Sequence, residues 1–221
     1  MSLKKIFFTI IVKPFLILTM GLNIKNKERL PNGKNPKIII ANHNSHLDTL
    51  FIMSLFPNKI IDKVKPVGAK DYFYSNKYIS WISKNLLDII PLDRKVKEKD
   101  PLKSIYDSLD KGNIVIIFPE GSRGNPEELT SFKNGIHHIA KNKPDVEIIP
   151  IYMEGMGKSL PKNEALFVPF VGNVNIGKEI KFNKEEKRED FIKRLEKTMK
   201  KLKKEKVVWI YFSLKKIFKP F

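Results

Sequence analysis

Asn42, His43, Asn44, Ser45, His46 and Asp48 stand together between two apolar runs, residues 38–40 and 50–52. A histidine followed five positions later by an aspartate can form a general base. The carboxylate accepts from one ring nitrogen, fixes the tautomer and leaves the other nitrogen free to take a proton. Inside one helix the two side chains would lie roughly 140° apart around the axis, given 3.6 residues per turn. They meet only if His43 precedes the helix on the incoming loop, with Ser45 as the cap and Asp48 in the first turn. A metal cluster is one rival, but a zinc site draws three or four convergent ligands. The chain has no cysteine, and only His137 and His138 remain as further imidazoles, so no metal is expected. A polar turn that merely caps a helix is the other rival, and on this stretch alone it stays open.

A second cluster, "FPEGSRG" at residues 118–124, follows the strongest apolar run of the chain. It presents Glu120, Gly121, Ser122 and Arg123 in a loop where Gly121 and Gly124 let the backbone turn sharply. The guanidinium of Arg123 offers a planar fork suited to phosphate. Arg94 stands just past another apolar run, "IIPLDR". A lone arginine is ordinarily a surface ion pair, whereas two arginines that each end a strand are a less ordinary coincidence.

These groups need a scaffold that brings distant loops together. Continuous apolar runs at 37–41, 65–69, 88–92, 113–118 and 146–152 predict strands covered on both faces. Helical patterns fall between them, at 46–56, 77–86, 96–110 and 133–142. The alternation predicts an α/β layered fold with a largely parallel central sheet flanked by helices. From Glu164 to Phe182 further strand is expected, with Gly172 and Gly177 as turns. No segment rich in Gly, Ser or Pro divides the chain, so its 221 residues are expected to form a single domain beyond the N-terminal segment. In such folds sites gather where strands end and helices begin, and both clusters occupy such junctions.

The formal net charge is +18, which favours a polyanionic partner. Residues 6–22 are almost wholly apolar, broken only by Lys13 and Pro14. A span needs about 20 apolar residues, and a central Lys-Pro is costly there. A kinked, membrane-inserted or interfacial anchor is therefore expected. At the other end, Phe191, Leu195, Met199 and Leu202 recur at helical spacing among lysines. Trp209, Tyr211, Phe212 and Phe218 follow, in a composition that suits the headgroup layer. A core-packing helix with a solvated basic face remains the alternative for residues 184–204. Nucleic acid is not expected, because aromatics and lysines concentrate at the termini rather than interleaving through the middle.

Taken in order, "NHNSHLD", "AKDYF", "IIPLDR", "FPEGSRG" with "FKNG", and "IIPIY" resemble the motifs of the glycerolipid acyltransferases that make phosphatidic acid. The resemblance spans Ala41 to Tyr152. A histidine and aspartate at this spacing are weak evidence alone; the ordered set is specific. It implies that His43 is the general base and Asp48 its orienting partner, and that Arg94, Glu120, Gly121, Ser122 and Arg123 bind the substrate. Pro150 would end the strand that shapes the acyl side of the site. Ser122 stands where threonine is commoner, which does not disturb that chemistry. The implied reaction moves a fatty acyl group from acyl-CoA or an acyl carrier protein to the sn-2 hydroxyl of lysophosphatidic acid, with no bound cofactor. Another lysolipid or glycerol 3-phosphate could be the acceptor, and a catalytically silent basic membrane-binding module is the alternative from another class. On this basis residues 1–24 are expected to associate with the cytoplasmic face of the cell membrane, whose anionic surface is a partner. Residues 25–221 would form the acyltransferase domain, with a basic, aromatic C-terminal region at 184–221.

Overall fold

Ile38, Ile39 and Ile40 are all fully buried, which consecutive strand residues achieve only when both faces of a sheet are covered. The computed structural model describes residues 1–19, 22–45, 47–93, 100–125, 128–155 and 172–205. Its strands are β1 (Leu22–Lys25), β2 (Lys37–Ala41), β3 (Val64–Ala69), β4 (Ile90–Leu92), β5 (Ile114–Ile117), β6 (Ile148–Glu154) and β7 (Gly172–Ile176). They form one seven-stranded sheet in the order β1-β7-β6-β2-β5-β3-β4. The five strands from β6 to β4 are parallel, with Ile38 opposite Val115 on one side and Ile148 on the other. β7 runs antiparallel to β6, and β1 runs parallel to β7. The largely parallel α/β sheet expected from sequence is present, with an antiparallel edge.

Helices cover both faces. They are α1 (Leu3–Phe7), α2 (Lys13–Thr19), α3 (Asp48–Ser54), α4 (Lys70–Phe73), α5 (Lys77–Ile82), α6 (Lys103–Asp110), α7 (Gly135–Asn142) and α8 (Arg188–Lys204). On one face Ile39, Ala41, Ile116 and Ile149 pack against Phe51, Ile52 and Met53 of α3 and against Phe8, Val12 and Leu16 of the N-terminal segment. On the other, Ile38, Ile40, Val115 and Ile148 meet α6, α7 and α8.

The N-terminal helix departs from a simple kink. A π-helical turn, Phe8–Val12, joins α1 to α2 immediately before Lys13-Pro14. Pro14 has no N–H to donate, and a widened turn accommodates that loss. The buried side chains Lys4, Phe8, Val12 and Leu16 recur every four residues. On a regular α-helix that repeat would drift about 40° per step; the π turn keeps them on one face. Lys13 does not face outward: its amine donates to Phe56 O (2.8 Å) and Asn58 Oδ1 (2.5 Å). Ile10, Ile11, Ile17 and Leu18 on the opposite face are exposed. Among the described residues no helix is long and apolar enough to cross a membrane.

Several strand expectations shift: β3 begins at Val64, β5 is Ile114–Ile117, and β6 is Ile148–Glu154 rather than 146–152, so Pro150 lies inside β6 instead of ending it. β4 starts at Ile90 rather than 88, because Asp88 adopts a left-handed conformation (φ 57°) that closes the preceding helix. Gly172 begins β7 instead of forming a turn. Gly177 serves close approach: a Cβ there would come within 2.6 Å of Pro150 Cγ. For residues 184–204 the core-packing alternative holds, since Phe191, Leu195, Met199 and Leu202 are buried. The aromatic residues expected at a headgroup layer, Trp209, Tyr211, Phe212 and Phe218, lie outside the described residues.

Candidate active site

Beyond Ala41 the backbone of β2 leaves the sheet, and Asn42 replaces the lost ladder with its side chain. Its Nδ2 donates to Met153 O and its Oδ1 accepts from Met153 N, both at 2.8 Å. The chain is thereby freed to turn back over the start of α3. His43 lies ahead of that helix and Asp48 is its first residue, as the spacing required.

One oxygen of Asp48 organises the loop. Oδ2 accepts from Asn44 N (2.7 Å), Ser45 N (2.8 Å) and His43 Nδ1 (2.9 Å). Ser45 is not the helix cap: Leu47 precedes α3 without a side-chain capping bond, and Ser45 Oγ accepts from Leu47 N instead (3.2 Å). The carboxylate takes the loop amides because the loop folds back onto it. Asp48 is only 1% exposed. A buried carboxylate aimed at Nδ1 keeps the proton on that nitrogen and leaves the Nε2 lone pair outward. Nε2 has no protein partner among the described residues, and His43 lines a cavity.

The other side of the imidazole rests on Phe118, with ring centroids 4.1 Å apart and planes 19° from parallel. Phe118 comes directly off β5 and leads into the glycine-flanked loop, where Gly121 adopts φ 79°. Glu120 was expected to bind substrate, but it is 2% exposed and turned inward. Its Oε1 accepts from His43 N (3.1 Å), and its Oε2 accepts from Thr130 N (3.1 Å) and Thr130 Oγ1 (2.6 Å). Both oxygens are occupied by the protein, so Glu120 braces the histidine loop. Gly124 N completes that brace by donating to His43 O (2.9 Å).

Gly121, Ser122 and Arg123 do line the cavity, as does Lys133. The Arg123 guanidinium lies over the Tyr72 ring at 5.8 Å. The cavity measures about 620 Å³, within the range of small-molecule sites. Most of its remaining wall is apolar, from Val67 of β3, Leu102 and Ile105 at α6, and Ile136 and Ile139 of α7, with Thr49 and Asp71 as polar exceptions. A polar mouth holding an imidazole and cations, joined to a largely apolar lining, suits an amphiphile with an anionic head. Arg94 lies outside the described residues. Sequence reasoning gave no role to Asn42, Asn44, Phe118, Thr130 or Lys133. All but Thr130 belong to quoted motifs, whereas Thr130 has no local signal.

Comparison with known proteins bears on the chemistry. The sequence profile of the acyltransferase family matches residues 21–154. A chloroplastic 1-acyl-sn-glycerol-3-phosphate acyltransferase of Arabidopsis thaliana is 31% identical over 161 residues, covering 72% of this chain and 42% of that protein. The 1-acyl-sn-glycerol-3-phosphate acyltransferase of Saccharomyces cerevisiae is 30% identical over 139 residues, 61% of this chain and 44% of its own. Over these matches the chain spans less than half the length of either relative. The crystal structure of the 1-acyl-sn-glycerophosphate acyltransferase of Thermotoga maritima has the same fold, with a TM-score of 0.70 at 22% identity, covering 90% of this chain and 76% of that one. With the profile covering more than half of the sequence and both motif loops meeting at His43, the chain belongs to the acyltransferase family.

Proposed function

We propose that the protein transfers a fatty acyl group from an acyl thioester, acyl-CoA or acyl carrier protein, to the sn-2 hydroxyl of lysophosphatidate, giving phosphatidate. The observation that carries this reading is the imidazole of His43, fixed at Nδ1 by Asp48 at 2.9 Å in a residue that lines the cavity. A lipid hydroxyl is a poor nucleophile at neutral pH, so its proton must leave as it attacks. Nε2 takes that proton while the hydroxyl oxygen bonds to the thioester carbonyl carbon. The tetrahedral intermediate collapses with cleavage of the carbon–sulfur bond, and the imidazolium returns the proton to the departing thiolate. General-base assistance supplies about 10²–10⁴-fold; positioning in the cavity supplies more. No acyl-enzyme on cysteine is involved, since the chain has none.

Arg123 and Ser122, at the polar mouth, bind the acceptor phosphate, with Arg94 as a second cation. The apolar lining takes the acyl chain. The exposed apolar face of the N-terminal helix sits in the interfacial layer of the cytoplasmic membrane leaflet, where the lipid acceptor resides. The test is a panel of lysolipids and glycerol 3-phosphate offered with each donor type, with products identified by mass. Phosphatidate as the fastest-formed product is the expected result; preferential acylation of a lysolipid lacking the phosphomonoester would overturn the assignment of the acceptor.

A further inference from the structure

Helix α8 has a second face. Lys193, Lys197, Lys200 and Lys204 are exposed, and at 100° per residue they fall within an arc of about 60°. Phe191, Leu195, Met199 and Leu202, buried in the core, lie on the opposite side of the helix. The lysines therefore form an outward stripe about 16 Å long, at 1.5 Å per residue. None of the four makes an ion pair among the described residues. Glu196, the one carboxylate between Phe191 and Lys204, is turned away to accept from Phe132 N (2.9 Å).

The stripe and the exposed apolar face of the N-terminal helix are on opposite sides of the molecule. Phe8, Val12 and Leu16 pack on one face of the sheet, and the buried residues of α8 pack on the other. A flat bilayer that receives Ile10, Ile17 and Leu18 leaves α8 pointing into water. We propose that this stripe docks an acidic, soluble protein that delivers the acyl thioester, a proposal that rests on the acyl-transfer reading above. The charge is complementary, and the extended spacing of the amines suits a protein surface better than a single small anion. The location is also apt. The Glu196–Phe132 bond fastens α8 to the segment that continues into Lys133 at the cavity and holds Thr130 against Glu120.

The experiment uses the full chain, an acyl carrier protein loaded with a saturated fatty acyl group, and the matching acyl-CoA. Two triple variants at Lys193, Lys197 and Lys200 are compared with wild type, one replacing each lysine by Gln and one by Glu. Binding of the unloaded carrier is read separately by fluorescence anisotropy, so the docking is decided even if neither donor is turned over. The expected result is a carrier KM and carrier Kd raised on the order of tenfold by Gln and further by Glu, lost for wild type too at high salt. The KM for acyl-CoA and sedimentation with phosphatidylglycerol vesicles should stay unchanged, with equal melting curves. Unaltered carrier binding would overturn the proposal. So would loss of vesicle binding in its place, which would assign the stripe to a membrane surface.

Discussion

At the scale of single residues, Asp48 and Glu120 do related jobs with different reach. Asp48 gathers His43 Nδ1 and two backbone amides on one oxygen, so it orients the imidazole and shapes its loop together. Asp48→Asn keeps the volume but offers an amide to Nδ1, favouring the wrong tautomer. Turnover should fall on the order of 10³-fold or more, while the acceptor KM changes little; retention of about a tenth of wild-type turnover would show that His43 works without the carboxylate. Glu120 and Arg123 make a contrasting pair. Glu120→Ala should cost about 1–3 kcal/mol in denaturant unfolding by stranding buried donors, and should lower kcat without a selective effect on the acceptor. Arg123→Lys keeps the charge and loses the fork. It should raise the acceptor KM or lower the acceptor kcat/KM by roughly 10- to 150-fold, from a charge-assisted bond of about 1.5–3 kcal/mol, and spare the donor. Equal impairment towards both substrates would mark Arg123 as structural. His43 and Asp48 were legible as a pair because the ordered motifs singled them out, and side chains at their spacing meet only across a loop followed by a first turn. The inward turn of Glu120 was not, since its partners lie 77 positions upstream and 10 downstream.

At the scale of elements, the strands buried on both faces announced themselves as unbroken apolar runs. β1 did not, because at the sheet edge it mixes Asn23 and Lys25 with apolar residues. The N-terminal helix was legible as an apolar segment but not as one docked by its lysines. Lys4 is 3% exposed and donates to Val64 O (2.6 Å), with Asp88 at 4.0 Å. Burial pushes its ammonium from 10.5 down to about 8, against the pull of Asp88. Between those values the unfolded chain holds a proton that the folded chain has released, so stability gains as pH rises through that window. Below about 8 the whole penalty remains, about 3 kcal/mol, offset by about 1.5–3 kcal/mol from the charge-assisted bond to Val64 O. Relative to wild type, Lys4→Met should therefore be most stable below about pH 8, by at most about 1.5 kcal/mol, and should lose ground as pH climbs towards 10.5. Paired unfolding curves across that range check the claim, and an advantage that does not vary with pH would refute it.

At the scale of the whole molecule, the exposed large apolar side chains of the described residues all fall within 1–18 and 72–82. α1 packs on the turn that continues α5, so the two groups share one side, and Tyr72 also lines the cavity. An apolar surface of that kind marks an interaction site. Ile10→Glu combined with Leu18→Glu should sharply reduce sedimentation with anionic vesicles, yet leave turnover of detergent-dispersed substrate near wild type; undiminished vesicle binding would remove this face from the attachment. The charge balance favours an anionic partner without placing it; the layering of helices on the sheet separates the exposed apolar side chains of the N-terminal helix from the lysines of α8. The most direct test of the account is acyl transfer to lysophosphatidate by wild type and His43→Ala, each with its melting curve. The account predicts that wild type forms phosphatidate and that His43→Ala is slower by about 10²–10⁴-fold with an unchanged melting temperature. Comparable turnover by the two proteins would contradict it.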